Sequence, residues 1–481
     1  MRRSAALLLT VVLGAISLRP GSAGAPGKAA SAAAREKAAL PAAANAAAGN
    51  LLRWDARRGR VDAWIDGWPL ERLLAEVAGR TGWRIRVEPD LDASVFAKFR
   101  GLSPREALRR LLGSLNFALF PDARGAPTLY VFKTAFRKAT RDVAPKLPPP
   151  SATRPRTLEN ELILLVSPES GKDVEALAAG LGAKIVGRSE ELGAYRLRFP
   201  TKERAQAARR WIDEQPDLGW GINQEYPMPG APRPWAGASP SLSVKPAAVE
   251  KGGVLAALID TPVQKDSAPL NGFLLPEIDI LPSKPGVSGE PTHGTSMAVT
   301  MIESLAKAAG GSGELPMRIL PINVYGPEDA TTTFEIAQGL LAALQSGAQV
   351  INLSLGSDVD HPLIRRLVEE GRRAGVAVLA AAGNEPTGRP MFPAAYEGVV
   401  AVTALDPDGR VADYANRGPF VDAAAPGVSF VPFGGRLYAV VGTSPATAYA
   451  SGEAAALMLK QGLRGEELTR ALREVLRPPE P

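Results

Sequence analysis

Val254-Leu255-Ala256-Ala257-Leu258-Ile259-Asp260 sets a carboxylate at the end of six consecutive apolar residues. A short apolar run of this kind reads as a strand buried on both faces. Similar runs follow at Ile319 to Val324, Val350 to Leu355, Val376 to Ala381 and Val399 to Ala404. Helical periodicity occupies residues 294–308, 332–346, 361–374 and 445–461 between or after them. This alternation predicts an α/β fold, a mostly parallel sheet with helices on both faces. Ligand sites in such sheets gather at the carboxyl ends of the strands, where Asp260 stands.

Two further residues share that setting. His293 opens a helix through Gly294-Thr295-Ser296-Met297, and His361 is the other of the two histidines in the chain. Ser444 stands in Gly442-Thr443-Ser444-Pro445-Ala446-Thr447, just before an apolar helix. A carboxylate at the end of a buried strand needs a partner to stay charged, and an imidazolium is a suitable one. A serine hydroxyl in turn needs a base before it is a useful nucleophile. Asp, His and Ser therefore form a candidate triad, in an order that differs from chymotrypsin-like and α/β-hydrolase enzymes.

Successive stretches around these residues resemble the motifs of subtilases. They are Leu258-Ile259-Asp260-Thr261, His293-Gly294-Thr295, Ile351-Asn352-Leu353-Ser354-Leu355-Gly356, Ala381-Ala382-Gly383-Asn384 and Gly442-Thr443-Ser444. Tyr414-Ala415-Asn416-Arg417-Gly418-Pro419 and Ala424-Ala425-Pro426-Gly427 fit the segment before the nucleophile. The resemblance implies a subtilisin-like sheet over 251–477 and a serine endopeptidase acting on polypeptides through an acyl-enzyme on Ser444. It assigns Asn384 and the Ser444 N–H to the oxyanion hole. It assigns Ser354, Leu355, Gly356, Ala381, Ala382 and Gly383 to the walls that bind substrate. Pro262 and Pro445 depart from the family, which usually has glycine and methionine there. Proline at the start of a helix is tolerated, although it biases Ser444 away from helical angles. His361, between Asp360 and Pro362, reads as a surface residue at a helix start.

Upstream, Arg2 and Arg3 precede an apolar run from Ala5 to Leu18 and small residues to Ala25, the pattern of a signal peptide over 1–25. Export to the periplasm or the extracellular space is expected. The run is short for a membrane span, and no second candidate follows. Residues 26–50 form an Ala-rich linker, and Pro-rich stretches over 138–156 and 227–250 read as further linkers.

Two small α+β domains fill the remaining intervals. In 51–137, Leu70, Leu73, Leu74 and Val77 follow Pro69 at helical spacing, and Ser103-Pro104-Arg105-Glu106 is a capping box ahead of Leu108, Leu111, Leu112 and Leu115. With a strand at Trp83 to Val87, this order resembles the short N-terminal domain of secretins and TonB-dependent receptors. That resemblance implies contact with an envelope protein. The order in 157–226 is β-α-β-β-α-β, with Tyr195, Leu197 and Phe199 alternating with arginines. It resembles the ferredoxin-like propeptide of subtilases, which implies an inhibitor and intramolecular chaperone removed by a cut within the third linker.

The absence of cysteine excludes disulfides, thiolate metal sites, a cysteine nucleophile and a lipoprotein anchor. A net charge of +6 over 481 residues, with no binding motif beside the Arg53, Arg57, Arg58 and Arg60 cluster, argues against nucleic acid. Catalysis is expected to need no cofactor. A structural calcium agrees with family habit, but no Asp-rich ligand loop indicates one. The alternative is a catalytically weak subtilase-fold binding or scaffold protein of the envelope. An esterase or acyltransferase would use the same triad, but the pocket walls suit an extended peptide.

Overall fold

The computed structural model describes residues 51–55, 58–120, 127–143, 149–150, 154–235, 243–247, 253–265, 267–282, 289–310 and 312–479. The signal peptide and Ala-rich linker expected over 1–50 lie outside them.

The first described region holds β1 (Leu51–Asp55), β2 (Arg60–Pro69), α1 (Leu70–Thr81), β3 (Arg84–Val87) and β4 (Ser94–Leu102). It continues with α2 (Pro104–Leu112), β5 (Asn116–Phe120), β6 (Thr128–Phe132) and β7 (Arg141–Asp142). Two sheets, β1-β2-β4 and β5-β6-β3-β7, enclose the leucines of both helices. The capping box at Ser103 and Glu106 forms as a reciprocal pair at the start of α2.

Next come β8 (Arg156–Thr157), β9 (Glu161–Val166), α3 (Val174–Gly180), β10 (Lys184–Ser189), β11 (Ala194–Arg198), α4 (Lys202–Asp213) and β12 (Leu218–Gly221). Their antiparallel sheet has the order β10-β11-β9-β12. Short strands follow at β13 (Gln224–Pro227), β14 (Arg233–Trp235) and β15 (Ser243–Pro246). The described residues of the two Pro-rich stretches are thus not tethers. Each strand there pairs with a segment far along the chain: β7 with β3, β8 with β13, and β14 and β15 with strands beyond residue 300.

The remaining strands are β16 (Val254–Asp260), β17 (Ile278–Asp279), β18 (Ser312–Leu315), β19 (Met317–Asn323), β20 (Ala330–Thr332) and β21 (Val350–Leu353). After them run β22 (Ala377–Ala381), β23 (Val399–Leu405), β24 (Ala423–Pro426), β25 (Val428–Phe433) and β26 (Arg436–Val441). Helices α5 (His293–Ala308), α6 (Thr333–Gln345), α7 (Pro362–Arg373), α8 (Thr443–Gln461) and α9 (Gly465–Val475) lie among and after them. Seven strands form one sheet, β17-β19-β16-β21-β22-β23-β24, with every neighbouring pair parallel. Residues of β16 alternate between its faces as strand geometry demands. Ala256 and Leu258 pack with α5, α8 and α9, while Ala257 and Ile259 pack with α6 and α7.

The small antiparallel sheet docks on α6 and α7. Arg196 lies 2.7 Å from Glu161 and reaches 3.0 Å to Glu335 in the first turn of α6. Burial pushes the Glu161 carboxyl up, but hydrogen bonds from Arg196, Arg198 and Asn223 outweigh it and hold the group below its ordinary range. His361 corrects the surface expectation. It is 2% exposed because Gln224 and Tyr226 of β13 cover it, each within 3.1 Å of its Nε2. Burial drives its pKa down to about 4, with the Ile222 carbonyl opposing.

Candidate active site

Asp260 closes β16, and its Oδ1 accepts the Thr261 N–H at 2.7 Å. His293 opens α5 with Nδ1 at 2.8 Å from Oδ1 and 3.0 Å from Oδ2 of Asp260. The helix is capped by Thr292, whose Oγ1 accepts the Thr295 N–H at 3.1 Å and donates to the Pro262 carbonyl at 2.6 Å. Pro262 therefore supplies an acceptor that helps fix the helix start. The Gly294 N–H donates to Thr261 Oγ1 at 2.8 Å. A Cβ on Gly294 would stand 2.1 Å from the Thr261 carbonyl oxygen, so only glycine lets helix and strand ends meet. Bonding to Asp260 commits Nδ1 and keeps Nε2 for a reacting group.

Ser444 is the second residue of α8, with Pro445 third. The missing proline N–H falls in the first turn, where no intrahelical acceptor waits for it. Helical packing overrides the bias of Pro445 on Ser444. Gly442 caps the helix at φ 146°, and a Cβ there would meet the Asn384 amide at 3.3 Å.

Asn384 follows β22. Its Oδ1 accepts the N–H and the hydroxyl of Thr443 at 2.8 and 3.0 Å. That assignment turns the amide oxygen to the helix start and leaves Nδ2 as the available donor. Ser354 Oγ accepts from Asn352 Nδ2 at 2.9 Å, and Asn352 Oδ1 accepts from Ser451 of α8 at 3.1 Å. Asn416 accepts from the N–H groups of Gly388 and Arg417 and donates to the carbonyls of Ala382 and Arg389. Asn352 and Asn416 thus position the two wall segments. Sequence reading gave neither a role, though each stands in a recognisable motif.

A cavity of about 780 Å³ collects His293, Ser444, Asn384, Ser354, Leu355, Gly356, Ala381 and Gly383 on its walls. Ala382, expected among the wall residues, is turned into the core at 0% exposure, and its N–H is bonded to the Val402 carbonyl. Strand alternation at the end of β22 explains the inward turn. Tyr325 shares the cavity, and burial first, then the Asp260 charge, keeps its phenol protonated well above the ordinary range. Among the described residues no group of three or more His, Asp or Glu is placed to hold a metal ion.

A family model described as "Subtilase family" matches residues 251–475. Over 228 residues the chain is 33% identical to Subtilisin Savinase of Lederbergia lenta, covering 45% of this chain and 81% of that one. The chain belongs to the subtilase family. It is 30% identical over 226 residues to Thermitase of Thermoactinomyces vulgaris, covering 46% of this chain and 81% of that protein. The Thermophilic serine proteinase of Bacillus sp. (strain AK1) is 35% identical over 221 residues, 45% of this chain. The match spans 55% of that relative, about half its length.

One feature of this subtilase lies across its own cleft. Pro227, Pro229, Gly230, Ala231, Pro232 and Arg233 line the same cavity as His293 and Ser444. The segment is anchored at both ends. Upstream, β13 pairs antiparallel with β20, and the Met228 N–H donates to the Asp329 carbonyl at 2.7 Å. Downstream, β14 pairs with β26, setting Arg233 opposite Ala439, and Trp235 packs on Phe430 at 5.3 Å.

Proposed function

We propose that this chain is an exported serine endopeptidase, made as a precursor and held latent by its own upstream segments. The bonded Asp260–His293 pair, opening on a cavity shared with Ser444 and Asn384, carries the reading. Ser444 Oγ attacks a substrate carbonyl carbon while its proton passes to His293 Nε2, and the carbonyl electron pair moves onto oxygen. The Asn384 amide and the Ser444 N–H, in the first turn of α8, stabilise that oxyanion. Collapse expels the amine with the proton from His293 and leaves an acyl-enzyme. Water, activated by the same imidazole, then releases the acid and restores Ser444. In this reading side chains and backbone alone do the chemistry.

Residues 157–226 act as the propeptide, with the segment after β13 as its inhibitory tail. That role is supported by the segment lining the cavity that also holds His293 and Ser444. The signal peptide at 1–25 supplies export, and no described helix is long and apolar enough to cross a membrane. Residues 51–137 contact an envelope partner.

Casein hydrolysis and self-processing test the reading, and both should vanish in Ser444→Ala. One observation favours the alternative of a catalytically weak scaffold: the Ser444 hydroxyl donates to the Ser354 carbonyl instead of His293. Stoichiometric fluorophosphonate labelling of Ser444 contradicts the scaffold.

A further inference from the structure

The cleft is approached from the upstream side as well. Pro149, Pro150, Arg154 and Pro155 line the same cavity as the crossing segment. Arg154 lays its guanidinium across the Glu385 carboxylate, with Nε 2.6 Å from Oε1 and Nη2 2.7 Å from Oε2. Glu385 directly follows Asn384, so this fork closes beside the oxyanion donor. Two residues on, Arg156 makes the same fork with Glu225 of β13, at 2.9 and 3.2 Å. Such planar bidentate pairing is an arginine property that lysine lacks.

The backbone joins in. Thr157 and Arg156 of β8 pair with Gln224 and Glu225, and the Leu158 N–H donates to the Asn223 carbonyl at 2.9 Å. The other edge of β13 pairs with β20, so β13 is the middle strand of a three-stranded sheet that leads into the cleft. Pro227 and Pro229 have no N–H to donate, which weakens the ladder the crossing segment can build for itself. Strand β8 with Arg156, and Arg154 just before it, supply attachments that those prolines withhold.

We propose that Arg154–Thr157 is a second inhibitory strap, so that latency depends on two separate stretches of chain at the cleft. The proposal rests on the peptidase reading above. After the crossing segment is cut, β13 still holds β20 on one edge and β8 on the other, and Arg154 still holds Glu385. The strap therefore slows the departure of the severed N-terminal part. Its charge contribution is limited by solvent, since the Arg154 side chain is 78% exposed and Glu385 33%. The consequence is a rate effect of several fold that falls with ionic strength.

The full chain tests this. Hydrolysis of a peptide p-nitroanilide is followed from the start of incubation for wild type, Arg154→Ala, Arg154→Lys and Arg154→Glu. Wild type should show a lag before steady hydrolysis. The lag should shorten about threefold in Arg154→Ala and about tenfold in Arg154→Glu, with Arg154→Lys between wild type and alanine. Raising sodium chloride from 0.1 to 1 M should shorten the wild-type lag and leave that of Arg154→Ala unchanged. Fluorophosphonate titration of Ser444 at the end of each curve counts folded enzyme, so a folding defect lowers the count without mimicking a shorter lag. Equal lags in all four chains at both salt concentrations, or full wild-type activity without a lag, overturn the strap. Equal hydrolysis by Ser444→Ala overturns the peptidase reading, and the strap with it.

Discussion

Ser444 Oγ donates to the Ser354 carbonyl at 3.2 Å, and Ser354 Oγ donates to the Ser444 carbonyl at 3.3 Å. This reciprocal pair fastens the end of β21 to the start of α8. It parks the hydroxyl on an acceptor that cannot remove its proton, in a cleft already crossed by chain. Attack on a substrate requires that hydroxyl to turn from Ser354 toward His293.

Asp260→Asn should lower kcat by about ten-thousandfold with little change in KM. The neutral amide can present its NH2 to Nδ1, which selects the tautomer with no lone pair at Nε2, and it cannot stabilise the imidazolium. Steady-state kinetics on enzyme processed by a second, active copy checks this. A loss below tenfold would remove Asp260 from the mechanism.

Asn384 has two separable duties, since its oxygen holds Thr443 and its nitrogen is the available donor. Asn384→Asp keeps the acceptor and loses the donor, so kcat should fall about a hundredfold to a thousandfold with Tm nearly unchanged. Asn384→Ala should lose kcat similarly and also lower Tm by a few degrees, because it removes the acceptor at the α8 start. Thermal melts beside kinetics separate the two.

The crossing segment bears prolines at 227, 229, 232 and 234. Between its anchors at Met228 and Arg233, Gly230–Ala231 is the bond with proline on neither side. A proline nitrogen before the cut has no N–H for the cleft wall, and one after it constrains the leaving group. Self-processing should therefore leave Ala231 as the new amino terminus, and Ala231→Pro should block it. Amino-terminal sequencing decides, and a start at another residue of this segment sinks the prediction.

Acid should release the N-terminal part. Docked His361 is held down at about 4 and faces Tyr226, Gln224, Ser357 and Tyr396, with Asp360 and Arg365 beyond Tyr396. Undocked, it returns toward an ordinary value near 6.5 and binds more protons. Docking is therefore strongest above pH ~6.5 and weakens as pH falls toward 4, by up to about tenfold per unit. Size exclusion of cleaved Ser444-blocked protein across this range checks the sign, and His361→Gln should flatten the dependence.

Glu303 of α5 is half-buried, its inaccessible Oε1 has no partner among the described residues, and burial raises the carboxyl to about 7. Its folded value lies above the unfolded one, so it costs stability as pH rises from about 4.5 through 7. Glu303→Gln should raise Tm by about 5 °C at pH 8 and by almost nothing at pH 5. An equal shift at both values would mean that packing, not charge, was changed.

The sheet and the Asp260–His293 pair were legible because both depend on local signals. Six apolar residues specify the strand, Thr292 and Gly294 specify the helix start, and the parallel fold brings strand and helix ends together. The side-chain turn of Ser444 was not, since it answers to Ser354, ninety positions away in the hydrogen-bond pattern. His361 misled for a similar reason. Asp360-His361-Pro362 has the composition of an exposed helix start, and only a strand from a distant part of the chain buries it. The prolines of the supposed linkers were legible, but their pairing partners on β13, β18 and β26 were not. Ala382 shows the limit of motif reading, for a motif names a stretch while strand alternation decides which member faces the cleft.

Strand β14 has a further meaning once the segment beside it is severed at Gly230–Ala231. The upstream end leaves with β13, but the downstream end remains zipped to β26. The mature protein then keeps β14 as a permanent selvedge on a sheet whose last strand runs into the nucleophile turn. Without that border, the N–H and C=O groups of β26 would lie open to any extended chain, including a neighbouring molecule. Keeping it guards the enzyme against strand-to-strand aggregation at the margin of its own catalytic turn.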